Sequence, residues 1–162
     1  MEAYRHWAGD APGNIVILPY ISMHGSTRRM VDHLVGALAE QGVTVQQFDL
    51  TATDVGKLAM SLVDAATLVI GTPTVLAGPH PEVAHAAFLA NALKPKLKFV
   101  SIIGSYGWGG RAVEQLAGMI PNLKVEVLEP VYVKGLPRET DFKALEDLAG
   151  AIAQKHREGG FV

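Results

Sequence analysis

The chain contains no cysteine, which removes disulfide scaffolds, iron–sulfur ligation and thiol nucleophiles while saying little about compartment. It has no long apolar run. Nothing approaches the ~20 residues that a membrane helix needs, and the opening Met1-Glu2-Ala3-Tyr4-Arg5-His6-Trp7 lacks the apolar stretch of a signal peptide. Charge of one sign is scarce as well: 14 basic against 16 acidic residues leave a formal net charge of −2. Arg28-Arg29 is the nearest thing to a basic run, so the electrostatic signature of nucleic-acid binding is missing. Internal repeats and low-complexity tracts are absent. A soluble cytoplasmic protein, with neither nucleic acid nor membrane as a partner, is the expectation.

What is present is core material. Hydrophobic residues make up 49% of the 162, and charged residues 19%, enough for one well-buried domain. Continuous apolar, β-branched runs alternate with longer stretches of helical period. Residues 14–20 read as a buried strand, with Pro19 expected near its end because proline cannot donate to a ladder. Residues 27–41 place Met30, Val31, Leu34, Val35, Leu38 and Ala39 on one helical stripe that Gly42 ends. Residues 43–50 alternate as an edge strand does, and 54–63 read as a short helix. Residues 66–70 and 99–103 are strands, each ended by a glycine. Helices are expected at 79–93, its prolines in the first turn, at 110–119 and at 139–156. Residues 125–133 form the last strand, bent at Pro130. Five strands alternating with helices imply a parallel sheet of order 2-1-3-4-5, covered by helices on both faces. Residues 1–13 read as a linker or N-terminal strap, 14–158 as one ligand-binding domain and 159–162 as a flexible tail.

In such a sheet, ligands bind beyond the carboxyl ends of the strands, where the strand order reverses. Three segments fall there. Ser22-Met23-His24-Gly25-Ser26-Thr27 sets three hydroxyls and a glycine where N–H donors and a helix dipole bind phosphate; the alternative is an ordinary Ser/Thr helix cap. The segment lacks a P-loop lysine and the dinucleotide glycine spacing, so ATP and NAD are poorer fits. Gly71-Thr72-Pro73-Thr74-Val75-Leu76-Ala77-Gly78-Pro79 mixes prolines, small residues and two apolar side chains. It suits one wall of a flat apolar slot, or else merely joins strand to helix. Gly104-Ser105-Tyr106-Gly107-Trp108-Gly109-Gly110 holds two large aromatics among glycines. The rings either meet a planar ligand, each contact adding ~0.5–1.5 kcal/mol beyond area burial, or fold inward and cap the sheet. Together the segments describe a site for a phosphorylated, flat, aromatic molecule, a description that flavin mononucleotide (FMN) satisfies.

Residues 22–27 resemble the phosphate loop of flavodoxins, Ser/Thr-x-Thr-Gly-x-Thr. The fuller string from Tyr20 to Thr27, with Gly71-Thr72-Pro73-Thr74 and Gly104-Ser105-Tyr106-Gly107-Trp108, is similar to the flavodoxin domain of flavodiiron proteins (A-type flavoproteins) over roughly residues 4–156. His24 departs from the flavodoxin threonine in the manner of the flavodiiron branch. The resemblance implies a flavodoxin-like three-layer α/β sandwich binding FMN, with residues 22–27 on the phosphate and 72–78 and 105–110 flanking the isoalloxazine ring. It implies an electron-transfer module that takes electrons from a donor protein or a reduced cofactor. These pass to a di-iron centre on a metallo-β-lactamase-like domain, where oxygen or nitric oxide is reduced, within a homodimer or homotetramer. The alternative is a stand-alone FMN-dependent NAD(P)H/quinone oxidoreductase or flavodoxin-type carrier.

No H-x-E-x-D-H run is present, and His80 and His85, five apart, do not share a helical face. His6, His24, His33, His80, His85 and His156 are therefore expected to be solvated or capping rather than metal ligands. No side chain is required as acid, base or nucleophile. A phospho-receiver needs acids at the ends of the first and third strands, and this chain has only Asp49, at the end of the second.

Overall fold

The first strand, β1 (Gly13–Tyr20), is buried on both sides and divides its side chains by parity. Val16, Leu18 and Tyr20 enter one apolar cluster, Ile17 and Ile21 the other. That period of two is the mark of an interior strand. The computed structural model describes residues 13–21, 26–50, 55–62, 65–75, 78–79, 86, 97–106, 126–128, 130–134 and 137–160. After β1 come α1 (Ser26–Glu40), β2 (Thr44–Asp49), α2 (Val55–Ser61), β3 (Ala65–Val75), β4 (Gly78–Pro79), β5 (Phe99–Tyr106), β6 (Glu126–Val127), β7 (Val131–Lys134) and α3 (Glu139–Glu158). The expected helices 79–93 and 110–119, Ala86 and Pro79 apart, and residues 1–12 lie outside the described residues.

The sheet runs β2-β1-β3-β5, all parallel, and both β6 and β7 pair with β5 in parallel. This is the expected order, with the fifth strand in two short pieces. Between the pieces stands Pro130, which has no N–H to offer a ladder. Helices α1 and α3 pack Met30, Val31, Leu34, Leu38, Leu145, Leu148, Ala149 and Ile152 against Val16, Leu18 and Val69. On the other face, Leu58 of α2 and Leu62 meet Ile17, Leu68, Ile70 and Ile102.

The spacing of α1 follows its burial: Thr27, Met30, Val31, Leu34 and Leu38 are all within 1% of full burial, one stripe of a 3.6-residue period. Gly42 ends the helix at φ +81°. Val43 N donates to Leu38 O at 3.0 Å and Gly42 N to Ala39 O at 3.1 Å, a left-handed glycine stop. Pro19 sits one residue before the end of β1. Pairing with β3 holds at Ile17–Leu68 and at Tyr20–Gly71 but lapses between them, where the proline nitrogen carries no hydrogen.

Three expectations need correction. Strand β3 does not end at Ile70 but continues to Val75, and Pro79 pairs with Thr74 in a short antiparallel hairpin instead of opening a helix. Strand β5 likewise runs past Gly104 to Tyr106. Both extensions are paired with each other, Thr72 to Gly104 and Pro73 to Ser105, so backbone partners override the local breaking tendency of glycine and proline.

The third correction concerns His156, which is neither solvated nor a simple cap. It is a residue of α3 and is fully buried on the inner face of that helix. Its Nδ1 lies 2.8 Å from Asn14 Oδ1 and its Nε2 2.6 Å from Thr67 Oγ1. A neutral imidazole satisfies both contacts: Nδ1–H donates to the amide oxygen and Nε2 accepts from the hydroxyl. Asn14 Nδ2 in turn donates to Gly42 O at 2.9 Å. This chain of contacts fastens α3, β1, β3 and the end of α1 together at the amino edge of the sheet. Burial pushes the imidazole pKa down to about 4.

Candidate functional site at the carboxyl edge of the sheet

The opposite edge carries the segments singled out in the sequence. Register sets Tyr20 of β1 beside Gly71 of β3, Thr72 beside Gly104 of β5, and Pro73 beside Ser105. Three neighbouring strands span only about 10 Å at ~4.8 Å each, a width that one small ligand can bridge. Ile21 N donates to Gly71 O at 3.1 Å and Leu50 N to Tyr20 O at 2.9 Å, so backbone pairing continues to the edge.

Helix α1 starts there, with Ser26 as its first residue and no acidic side chain in its first turn. Its positive end therefore has no carboxylate of its own to satisfy it. Thr27 is 1% exposed, and its Oγ1 has no hydrogen-bond partner among the described residues. Leaving a buried hydroxyl unsatisfied costs about 1–3 kcal/mol. Such an atom at a helix start fits an acceptor supplied from outside the chain.

Gly71 holds this turn in place. A Cβ there would lie 2.9 Å from Tyr20 Cβ, 3.2 Å from Val31 Cγ2 and 3.4 Å from Thr27 Cγ2. Only a residue without a side chain lets α1 settle onto β1 and β3 with Thr27 over the edge. Beside it, the Arg28 guanidinium stands 5.7 Å from the centre of the Tyr20 ring and 3.3 Å from Asp32 Oδ1. Burial raises the Tyr20 phenol above its ordinary pKa, and Arg28 opposes that rise. Tyr20 first, and then Asp32, hold the guanidinium even more firmly protonated than usual. A fixed cation thus flanks the helix start.

Of the predicted site residues, Ser26 and Thr27 open α1, and Thr72 is fully buried in β3. Pro73, Thr74 and Val75 complete β3, Gly78 pairs with Val75, and Ser105 and Tyr106 complete β5. Ser22, Met23, His24, Gly25, Leu76, Ala77, Gly107, Trp108, Gly109 and Gly110 lie outside the described residues. Two residues at this edge were not among the predicted site residues. Gly71 was read as the end of a strand and the start of the second segment, but not as a residue of the site itself. Lys134 ends β7 opposite Tyr106, one residue beyond the predicted strand.

Taken together, this is a doubly wound α/β domain whose carboxyl edge presents a helix start beside the extended ends of two strands. A family model described as Flavodoxin matches residues 18–148, and the chain belongs to the flavodoxin family. It is 30% identical over 157 residues to the nitric oxide reductase of Moorella thermoacetica, covering 96% of this chain and 39% of that protein. The solved rubredoxin oxygen:oxidoreductase of Desulfovibrio gigas superposes with a TM-score of 0.90 at 28% identity, over 99% of this chain and 40% of that one. The flavodiiron protein of Giardia intestinalis shares the fold, with a TM-score of 0.82 at 20% identity over 98% of this chain and 40% of that one. The chain is thus a flavodoxin domain similar to those of flavodiiron proteins, and it spans about two-fifths of the length of such relatives. The flavodoxin family typically binds FMN.

Proposed function

We propose that this chain binds FMN at the carboxyl edge and serves as the electron-relay module of a flavodiiron-type oxygen or nitric oxide reductase, handing electrons to a di-iron centre on another domain. The observation that carries the reading is the unpartnered, buried Thr27 hydroxyl at the start of α1, beside Gly71 of β3. In this reading Ser22 to Thr27 hold the phosphate, Thr27 Oγ1 donating to a phosphate oxygen alongside main-chain N–H groups at the helix start. Residues 72–78 and 105–110 flank the ring. FMN, when bound, supplies the redox chemistry, and the protein supplies binding, orientation and local charge. The paired ends of β3 and β5 fix the spacing of the two walls, and Gly71 keeps the phosphate side close to them.

Electrons would arrive from a donor protein or a reduced cofactor, and the reductase assembly would be a homodimer or homotetramer. The test is a titration of the apoprotein with FMN, followed by flavin fluorescence and by mixing the loaded protein with NAD(P)H. Stoichiometric uptake without NAD(P)H turnover is the expected result. Turnover with NAD(P)H and a quinone would move the chain to the soluble oxidoreductases. Failure to take up FMN would end the proposal.

A further inference from the structure

The last turn of α3 lies at the amino edge of the sheet and is held there differently from the rest of the helix. Up to Ala153 the hold is apolar, through Leu145, Leu148, Ala149, Ile152 and Ala153. Among residues 154–160 the single buried side chain is that of His156; Lys155 is half-buried and the others are exposed. The ring reaches Asn14 Oδ1 of β1 at 2.8 Å and Thr67 Oγ1 of β3 at 2.6 Å, and stacks on Phe99 of β5 with centroids 6.1 Å apart. The Lys155–Glu126 pair beside it, at 3.1 Å, is half-exposed, and solvent weakens it.

We propose that His156 is an acid-operated latch: protonation of its ring frees the last turn of α3 from the amino edge while the rest of the domain stays folded. A buried cation needs a compensating anion, and the elements around the ring do not supply one. Strand β1 offers the neutral Asn14, β3 the Thr67 hydroxyl, and β5 Phe99 with the exposed Lys98 before it. Glu126 of β6 is engaged by Lys155, and Glu158 of α3 accepts from Gln154 Nε2 at 3.0 Å. Glu40, near the end of α1, is exposed, and Arg157 adds a further positive charge. Freeing one turn exposes the ring to water, where the proton is welcome, and leaves the apolar stripe up to Ala153 in place. Helix ends open at far lower cost than a whole domain. Six residues of extended β1 separate Asn14 from Tyr20, about 20 Å, so the latch stands apart from the carboxyl edge and from the FMN reading.

The experiment is native-state hydrogen exchange of the full chain, read amide by amide at pH 7 and pH 5 and at several low urea concentrations. Each rate is divided by the intrinsic rate at that pH, so that only opening is compared. In wild type the opening constant of the amides from His156 to Gly159 should rise about twentyfold from pH 7 to pH 5. That factor follows from a ring pKa of about 4 when latched and an ordinary 6.5 when free. It should hardly change with urea, because little surface is uncovered. Amides of Val16 to Leu18, in the core of β1, should open more rarely and with the full urea dependence of global unfolding. In H156Q the last turn should open to the same extent at both pH values. The absence of an acid-induced rise in wild type overturns the inference. So does a rise with the urea dependence of β1, which makes it part of global unfolding, or a rise that survives in H156Q. If H156Q does not fold, the two wild-type results decide by themselves.

Discussion

Acidification should destabilise this domain through His156 in a way that a variant lacking the imidazole does not share. The group is fully buried with its folded-state pKa near 4, against an ordinary value of 6.5. Because the folded value is depressed, the unfolded chain takes up the proton first. The stabilisation is complete above about pH 6.5, declines as pH falls, and is lost once pH drops through about 4. The full span of 2.5 pKa units corresponds to about 3 kcal/mol, and the part expressed between pH 7 and pH 5 to about 2 kcal/mol. Protonation would also turn Nε2 into a donor, so the Thr67 hydroxyl would have to accept from it and direct its own hydrogen elsewhere. The nearby Glu126–Lys155 pair, at 3.1 Å, is half-exposed and should add little. Urea melts followed by circular dichroism at the two pH values give the free energies for wild type and H156Q. The variant will be less stable at neutral pH, yet wild type should lose about 2 kcal/mol more than H156Q on acidification. Parallel losses in the two proteins would refute a neutral, buried imidazole.

Thr27→Val should pull stability and binding in opposite directions. Unfolding free energy should stay level or rise by up to ~1 kcal/mol, because an unsatisfied hydroxyl is removed, while FMN affinity falls about tenfold or more with the loss of a charge-assisted hydrogen bond. A variant that binds FMN like wild type would place the phosphate elsewhere. Gly71→Ala should cost about 1–3 kcal/mol by overpacking against Tyr20 and Val31, and should weaken FMN binding by lifting Thr27; wild-type melts would show that the turn relaxes freely. Gly150→Ala, inside α3 with nothing within 4 Å of the added carbon, should instead raise stability by roughly 0.5–1 kcal/mol. A drop in its melting temperature would contradict that open space.

In the proposed site two scales of order coincide. Strand register brings residues from distant parts of the chain to a common edge, and a single missing side chain at position 71 lets the helix start descend onto them. Neither part needs a catalytic acid or base. That suits a domain whose proposed task is to hold a redox group and shape its surroundings.

Much of this architecture was open to a reading of residue order. Apolar runs at 14–20, 66–70 and 99–103 and the helical stripes at 27–41 and 139–156 are set by local period and by solvent avoidance, which act along the chain. The 2-1-3-4-5 order was the natural expectation for five strands alternating with helices. The ends of β3 and β5 were not legible, because Gly71, Pro73 and Gly104 carry a local tendency to stop a strand, and their mutual pairing is a long-range event. His156 was likewise misread. Nothing nearby in sequence shows that Asn14 and Thr67, 142 and 89 residues away, will meet it in the interior. Local preference can name the elements and mark polar segments suited to a ligand. Which polar group is buried, and which backbone continues because a neighbour pairs with it, depends on contacts that exist only after the chain has folded.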